Sequence, residues 1–234
     1  MEKLHLSARM AAVADFVPQG AHLADVGTDH GYIPLWLLQE ERIASAVASD
    51  LREGPLQHAI ASAEAAGLSD RVEFLLCDGL SPTCEDRCDT VIIAGMGGET
   101  IVDILQRADW THQGVLLILQ PQSKLDVLHT WLDRNGYAIT DARLVQDAGR
   151  IYVIYAVRGG VGKSVRSPAE SYIDPILLKK KDPLLPAYLD GIIRKFQRAL
   201  EGLSRSQQPD PEAAAQQIAV LEGLNTIREE VSTW

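Results

Sequence analysis

Residues 23–35 decide the fold, and their sequence is LADVGTDHGYIPL. An apolar run leads into two glycines, Gly27 and Gly31, and an apolar helical pattern follows them. This order predicts a buried strand, a glycine turn and a helix, with backbone N–H groups facing a ligand. The carboxylates of Asp25 and Asp29 lie in the same turn, which favours a cationic or mixed-charge ligand over a bare phosphate. The alternative is an ordinary strand-to-helix loop without a ligand.

Strand and helix patterns alternate up to residue 157. The predicted strands are residues 22–26, 44–49, 72–77, 90–94, 115–119, 137–145 and 151–157. The predicted helices are residues 4–17, 32–41, 54–66, 99–107 and 124–135. This alternation predicts an α/β fold with a doubly wound, mostly parallel sheet of seven strands. The last two strands are too close for a crossover helix, so they must form an antiparallel hairpin. A Rossmann-like sheet with one reversed strand is the topology of class I methyltransferases.

The pattern changes after residue 167. Two helical stripes follow, residues 173–200 and 213–231, on either side of a polar, proline-containing link. We therefore predict two domains, residues 1–160 and a small helical domain of residues 161–234. The glycine-rich residues 159–164 are not a phosphate loop, because Val157 stands where the motif requires glycine. A flexible linker is predicted there.

Composition predicts an ordinary soluble globular protein, with 46% hydrophobic and 23% charged residues. No apolar run approaches the ~18 residues of a membrane span, and the N-terminus lacks the pattern of a signal peptide. These features predict a cytoplasmic protein. Its cysteines, Cys77, Cys84 and Cys88, lack Cys-x-x-Cys spacing and a nearby histidine, so free thiols are favoured over a zinc site.

The charge distribution indicates nucleic acid although the net charge of −10 argues against it. Residues 1–157 carry 11 Lys and Arg against 22 Asp and Glu, whereas residues 158–205 carry 10 against 5. A basic segment of this kind can follow an RNA backbone, and the alternative is a solvated helix face. The cations concerned are Lys163, Arg166, Lys179, Lys180, Lys181, Arg194, Lys195 and Arg198.

Further polar motifs follow successive predicted strands. Asp50 is placed to accept hydrogen bonds from ribose hydroxyls, and Asp78-Gly79 suits an adenine amino group. Gly95-Met96-Gly97-Gly98 would let a base or a methyl donor approach the backbone, unless it is only a tight turn. The amides of Gln120-Pro121-Gln122 could contact a base edge. Because the Gly-x-Gly-x-x-Gly of pyrophosphate sites is missing, S-adenosylmethionine is favoured over NAD.

With these motifs in place, the chain resembles the bacterial tRNA (adenine-N1)-methyltransferases that modify adenine 22, in the D-arm region. The resemblance rests on the residues quoted above, on Leu6-Ser7-Ala8-Arg9 and on Thr28-Asp29-His30-Gly31-Tyr32. The family pattern has Gln-Pro-Asn where this chain has Gln120-Pro121-Gln122. The resemblance implies a class I methyltransferase domain that binds S-adenosylmethionine, joined to a helical, coiled-coil-like domain that engages tRNA.

Site roles follow from the motifs and the resemblance together. The expected cofactor-binding residues are Asp25, Gly27, Thr28, His30, Gly31, Asp50, Leu51, Asp78, Gly79, Leu80, Ala94, Gly95 and Met96. The expected substrate-binding residues are Gly97, Gly98, Gln120, Pro121, Gln122 and the eight cations listed above. Asp29 is the first catalytic candidate, with Arg9 and Tyr32 placed to orient the base or a phosphate. No metal is expected, and a monomer is favoured.

Two rival functions remain open from the sequence. One is a small-molecule methyltransferase whose helical tail serves oligomerisation, and the other is a non-catalytic RNA-binding protein with a vestigial pocket. Methyl transfer to tRNA separates the expected function from both.

Overall fold

Strands and helices alternate as the sequence predicts in a computed structural model, which describes residues 4–160, 165–204 and 210–234. The strands are β1 (Ala21–Val26), β2 (Ile43–Asp50), β3 (Val72–Leu76), β4 (Thr90–Gly97), β5 (Leu116–Ser123), β6 (Ala138–Asp147) and β7 (Arg150–Arg158). The helices are α1 (Ala8–Ala14), α2 (Tyr32–Gln39), α3 (Glu53–Ala66), α4 (Gly98–Gln106), α5 (Leu125–Arg134), α6 (Pro175–Lys179), α7 (Leu185–Ser204) and α8 (Pro211–Val231).

The seven strands form one sheet in the order β3-β2-β1-β4-β5-β7-β6. Strands β1 to β5 pair in parallel, and β7 runs antiparallel to both of its neighbours, β5 and β6. The β6–β7 turn consists of Ala148 and Gly149, which have φ angles of 47° and 76°. Two residues with positive φ give the tight turn that suits a twisted hairpin. The predicted Rossmann-like sheet with one reversed strand is therefore confirmed.

Alternate side chains of each central strand enter two different cores. In β4, Val91 and Ile93 face the core that contains α4 and α5, whereas Ile92 faces the core that contains α1, α2 and α3. All three side chains are fully buried. Burial on both faces explains why the central strands are almost continuously apolar in the sequence.

Several predicted element boundaries were wrong. Helix α1 begins only at Ala8, because the hydroxyl of Ser7 caps it by accepting from the Met10 N–H. Strands β4 and β5 continue through residues 95–97 and 120–123, because their ladder extends past the predicted turns with local irregularities. The stripe over residues 173–200 is divided into α6 and α7, and Lys181 between them has a left-handed φ of 50°.

The C-terminal helices share the core of α4 and α5. Leu177 of α6, Leu189 of α7 and Leu224 of α8 are fully buried and belong to the same apolar cluster as Tyr155 of β7. Residues 161–164 of the predicted linker, with Lys163, lie outside the described residues, as do residues 207–209 of the link between the two stripes. No described helix has the length and apolar character of a membrane span.

Arg166 is part of this packing, which corrects its prediction as a cation available to RNA phosphate. Its Nε donates to Asp133 Oδ2 at 2.9 Å and its Nη1 to Asp174 Oδ2 at 2.7 Å. The arginine side chain is only 14% exposed. Because both carboxylates are also buried, Arg166 connects the segment before α6 to α5 and cannot reach a large external ligand.

A buried histidine lies close to this cluster. His129 of α5 is fully buried, and its ring meets that of Tyr155 at a steep angle with 5.0 Å between the centroids. Neither ring nitrogen has a hydrogen-bond partner among the described residues. Burial, followed by the positive charge of Arg166, lowers the pKa of His129 to about 4. The imidazole is therefore neutral near pH 7.

We expect His129→Phe to weaken the loss of stability in acid. The unfolded chain binds a proton on His129 near pH 6.5 and the folded chain only near pH 4, so wild-type stability falls as the pH drops through that window. Between pH 7.5 and pH 5, the difference in unfolding free energy between the two proteins should shift by about 2 kcal/mol in favour of the variant. Urea unfolding of both proteins at the two pH values measures this shift. If the difference in unfolding free energy is the same at both pH values, the pKa of His129 is not lowered in the folded protein.

Candidate active site

A cavity of about 480 Å³ opens at the carboxyl ends of β1, β2, β3 and β4. It lies at the point where the connections change sides, because α2 packs on one face of the sheet and α4 on the other. Fourteen of the predicted site residues line it: Arg9, Asp25, Gly27, Thr28, Asp29, Tyr32, Asp50, Leu51, Asp78, Gly79, Ala94, Gly95, Met96 and Gln122.

The turn after β1 depends on left-handed backbone. Gly27 and Asp29 have φ angles of 70° and 53°. The N–H groups of Gly27 and Thr28 both donate to the Ser49 carbonyl, at 2.8 and 2.9 Å, which fixes the turn against the end of β2. A Cβ on residue 27 would overlap the terminal methyl of Met96, which can shift because it ends a flexible side chain, so glycine is required here mainly by its positive φ.

Asp25 lies buried at the base of the cavity. Its carboxylate accepts a hydrogen bond from the Thr28 hydroxyl at 2.6 Å. Loss of solvent raises the pKa of Asp25 to about 6; the Thr28 bond opposes this rise, and the nearby charge of Asp50 adds to it. A carboxylate under these conditions is stabilised by a cation in the cavity.

Asp50 ends β2 and is buried beside Asp25. Its Oδ2 accepts from the Asp29 N–H at 3.3 Å and its Oδ1 from the Arg52 N–H at 2.9 Å. Each oxygen keeps acceptor capacity for a further donor, such as a ribose hydroxyl. The next residue, Leu51, is 66% exposed although it is apolar, and it lines the same cavity. Together they present acceptors and an apolar surface to one ligand.

Asp78 is placed less simply than the sequence suggests. It lines the cavity, but its Oδ2 accepts from Arg107 Nη1 at 2.9 Å, and its side chain is 63% exposed. An adenine amino group would therefore share this carboxylate with Arg107. A Cβ on Gly79 would lie 3.2 Å from the side chain of Ile104, which lines the cavity from α4.

The cavity entrance joins α1 to the ends of β4 and β5. Arg9 Nη1 donates to Gln120 Oε1 at 2.9 Å, and the Arg9 guanidinium lies 5.6 Å from the centroid of the Tyr152 ring. A Cβ on Gly95 would have Arg9 Nη1 and Gln122 Nε2 each at 3.7 Å. Arg9 and Gln122 thus flank Gly95, where the cavity opens.

Aromatic rings continue from this entrance. Tyr32, which is 37% exposed, stacks on His30 with 5.3 Å between centroids, and His30 stacks on His58 at 5.0 Å. His30 and His58 are not part of the cavity lining. The predicted cofactor residue His30 is therefore placed beside the entrance.

Apart from the eight predicted cations, seven predicted residues do not line the cavity: His30, Gly31, Leu80, Gly97, Gly98, Gln120 and Pro121. Gly98 is buried, and a Cβ there would overlap the Lys124 carbonyl, so its role is close backbone packing. Gln120 is fully buried and donates to the Pro121 carbonyl at 3.0 Å while accepting from Arg9. Gln120 therefore positions Arg9 and cannot contact a base edge itself.

The predicted RNA-binding cations differ in their surroundings. Lys180 is paired with Asp141, and Lys181 Nζ lies 5.8 Å from the Trp234 ring centroid. Four others are exposed on α6 and α7: Lys179, Arg194, Lys195 and Arg198. The basic surface within the described residues is thus smaller than the sequence predicts.

Seven lining residues were not predicted: Met10, Val26, Ile33, Arg52, Cys77, Thr100 and Ile104. The spacing of Thr100 and Ile104 places both on one face of α4, a signal that was available in the sequence. Cys77 immediately precedes Asp78, and its thiol donates to the Gly79 carbonyl at 3.3 Å. Burial raises the pKa of this thiol. Among the described residues, no three His, Cys, Asp or Glu side chains are grouped as a metal site.

We expect Asp25→Asn to stabilise the ligand-free protein at pH 7.5 by about 2 kcal/mol, because an amide avoids the cost of a buried charge. Because the pKa of Asp25 is raised in the folded state, the wild type gains stability as the pH falls from 6 towards 4. The difference in unfolding free energy between Asp25→Asn and the wild type should therefore become smaller in that range. Urea unfolding at pH 7.5 and pH 4.5 measures this difference. Exposed Asp86→Asn serves as the control and should show neither effect.

Comparisons with known proteins agree with this geometry. The family model "Methyltransferase domain" matches residues 6–155. The tRNA (adenine(22)-N(1))-methyltransferase of Bacillus subtilis is 28% identical, over 99% of this chain and 98% of that protein. The crystal structure of the B. subtilis M1A22 tRNA methyltransferase TrmK has a TM-score of 0.80 at 29% identity, with 98% of each chain covered.

A further crystal structure contains the methyl donor. Streptococcus pneumoniae Sp1610 in complex with S-adenosyl-L-methionine has a TM-score of 0.79 at 32% identity, covering 96% of this chain and all of that one. The similarity extends over the sheet and the C-terminal helices alike. The chain therefore belongs to the family of bacterial tRNA (adenine-22 N1)-methyltransferases, whose catalytic domain is a class I methyltransferase domain.

Proposed function

We infer that this protein transfers the methyl group of S-adenosylmethionine to N1 of adenine 22 in tRNA. The observation that carries the inference is that the likeness to the B. subtilis enzyme covers 99% of this chain, including the cavity and the C-terminal helices. We place the reaction in the cytoplasm. A monomer stays the expectation for the oligomeric state.

The cavity residues suit S-adenosylmethionine, which supplies a methyl group activated on a cationic sulfonium. Asp50 would accept from its ribose hydroxyls, since each carboxylate oxygen has one N–H partner and room for another donor. Leu51 and Ile104 offer apolar surface for the adenine. The buried carboxylate of Asp25 favours the cationic part of the molecule.

The acceptor atom needs little chemical assistance. Adenine N1 has its own lone pair, so neither a covalent intermediate nor removal of a proton from N1 is required, and the protein mainly positions the two reactants. Positive charge moves onto the base during transfer. Asp29, whose side chain is 60% exposed at the entrance, would stabilise that charge. Tyr32 would support the base, and Arg9 would orient the base or a neighbouring phosphate through its N–H donors.

Adenine 22 must leave its stack to reach the cavity. We propose that residues 161–234 act as a helical RNA-binding domain that holds the tRNA while residues 1–160 carry out the transfer. The exposed cations Lys179, Arg194, Lys195 and Arg198 support this division of roles. Recognition of the folded RNA would rest on its shape and backbone.

Mapping the modified nucleotide tests the function directly. The pure protein is incubated with S-adenosylmethionine and an unmodified bacterial tRNA transcript, and reverse transcription locates the product, because an N1-methyl group blocks Watson–Crick pairing. We expect one new stop at adenine 22 and none in a transcript with guanine there. Methylation elsewhere, or donor binding without transfer to any tRNA, contradicts the proposal.

We expect Asp29→Asn to lower kcat for tRNA methylation by roughly 10- to 100-fold, because the charge that stabilises the cationic base is lost. Asparagine tolerates the left-handed backbone of residue 29, so the turn should be retained. Affinity for S-adenosylmethionine, measured by calorimetry, should change little. Asp86→Asn removes the same charge from the surface and should keep the wild-type kcat. Wild-type turnover in Asp29→Asn would remove this residue from the mechanism.

A further inference from the structure

A second groove, of about 270 Å³, lies between the methyltransferase sheet and the C-terminal helices. The end of β5 and the start of α5 form one wall, and α7 and α8 form the other. It is a different space from the cavity at the carboxyl ends of β1, β2, β3 and β4, which is called the donor cavity. The polar and aromatic lining of the groove includes Gln122, Lys124, Tyr172, Lys195, Phe196 and Gln217.

This groove, the junction groove, shares one lining residue with the donor cavity. Gln122 lines both spaces, and its Nε2 is placed beside Gly95 opposite Arg9. Directly beyond it, Lys124 has a left-handed φ of 54°, which is strained for a residue with a side chain. Such strain is concentrated at functional sites. Gln122 therefore places the junction groove directly beside the donor cavity.

The walls combine aromatic surface with positive charge. The rings of Tyr172 and Phe196 meet edge-to-face, with 4.8 Å between centroids and an angle of 79°. Lys124 and Lys195 are exposed at the groove, and Lys124 Nζ lies 3.7 Å from the exposed carboxylate of Glu99, which a phosphate would have to replace. The one acidic lining residue, Asp126, lies close enough to Tyr172 that its charge, after burial, raises the pKa of the Tyr172 hydroxyl. Aromatic rings beside cations are the surface that single-stranded nucleic acids prefer.

An amide inside the groove has an unmet hydrogen-bonding requirement. Gln217 Oε1 is buried and has no hydrogen-bond partner among the described residues. An acceptor in this state is stabilised by an incoming N–H group, such as the exocyclic amine or ring N–H of a base. Gln122, at the opposite end of the groove, adds an exposed amide.

We propose that the junction groove binds one nucleotide of the tRNA directly next to the target adenine. The base of that nucleotide contacts the Phe196 and Tyr172 rings, its edge reaches the amides, and its phosphate is paired with Lys124 and Lys195. This proposal rests on the proposed function. It also explains how the extrusion of adenine 22 is compensated, because the neighbour that loses its stacking partner gains an aromatic one.

Abasic substitution coupled to a protein variant tests the proposal. Binding of full-length tRNA is measured for the wild type and Phe196→Leu, with the base 5′ or 3′ of adenine 22 present or removed. We expect removal of one of these bases to weaken wild-type binding by roughly 5- to 100-fold and Phe196→Leu binding by much less. Equal losses in both proteins at both positions overturn the proposal.

Lys195→Gln supplies the electrostatic half of the test, and Arg228→Gln, an exposed charge on α8 outside the groove, is its control. Lys195→Gln should raise the KM for tRNA several-fold more than the control and leave S-adenosylmethionine affinity unchanged. Equal KM values in the two variants count against the groove.

Two further measurements distinguish failure of the groove proposal from misfolding of a variant and from failure of the proposed function. Photocrosslinking of wild-type protein to tRNA with 4-thiouridine on either side of adenine 22 should label Tyr172 or Phe196, and labelling only outside the groove contradicts the proposal without any variant. The wild type could methylate adenine 22 while Phe196→Leu leaves the abasic effect unchanged and no crosslink forms in the groove. In that case only the assignment of the groove fails. If the wild type methylates no tRNA, the proposed function fails first.

Discussion

Two carboxylates with little water around them set the conditions for the whole site. Asp25 and Asp50 lie near the carboxyl ends of the neighbouring parallel strands β1 and β2, so the fold does not let them separate. Burial raises the pKa of Asp25, and the charge of Asp50 adds to that rise. Hydrogen bonds stabilise part of this negative charge: the Thr28 hydroxyl donates to Asp25, and the N–H groups of Asp29 and Arg52 donate to Asp50. A cationic ligand relieves the remaining repulsion. Affinity for a sulfonium compound therefore follows from strand order and burial before any ligand-specific contact is considered.

The sequence predicted the fold well because strand order and the glycine turn depend on local patterns. Alternating strands and helices, Gly27 and the short link before β7 determine the sheet, and the structure confirms each of them. The acids at the ends of β1 and β2, which were predicted to bind the cofactor, line one cavity together because parallel strand ends meet at one edge. Thr100 and Ile104 could have been added from their helical spacing.

The wrong predictions concern residues whose partners are distant in sequence. Arg166 belongs to the basic segment by sequence, but Asp133 lies on a helix that the segment reaches only after folding. Gly98 follows a glycine run that suggests ligand binding, yet the Lys124 carbonyl occupies the space beside it. Gln120 faces inward because β5 continues past the predicted strand end. The pattern and spacing of residues along the sequence do not show which distant group will contact a given side chain after folding.

The ion cluster around Arg166 also affects the junction groove. Buried ion pairs contribute little net stability, but their geometry is directional. Asp174 holds Arg166 and also caps α6, by accepting from the Ile176 N–H at 2.9 Å. The path of the chain into α6 and α7 is thereby fixed against α5. The width of the groove between the sheet and the helices depends on this connection.

The contact of Asp147 with the first helix has a consequence for synthesis of the protein. The Asp147 carboxylate, at the end of β6, accepts from the Ser7 hydroxyl at 2.7 Å and from the Arg9 N–H at 3.2 Å, across 140 and 138 positions of sequence. On the ribosome, Arg9 is made early and waits for the β6–β7 hairpin before it can take its place at the entrance. A nascent chain without the β6–β7 hairpin therefore already has the residues of the donor cavity but not the two contacts that hold the start of α1 in place.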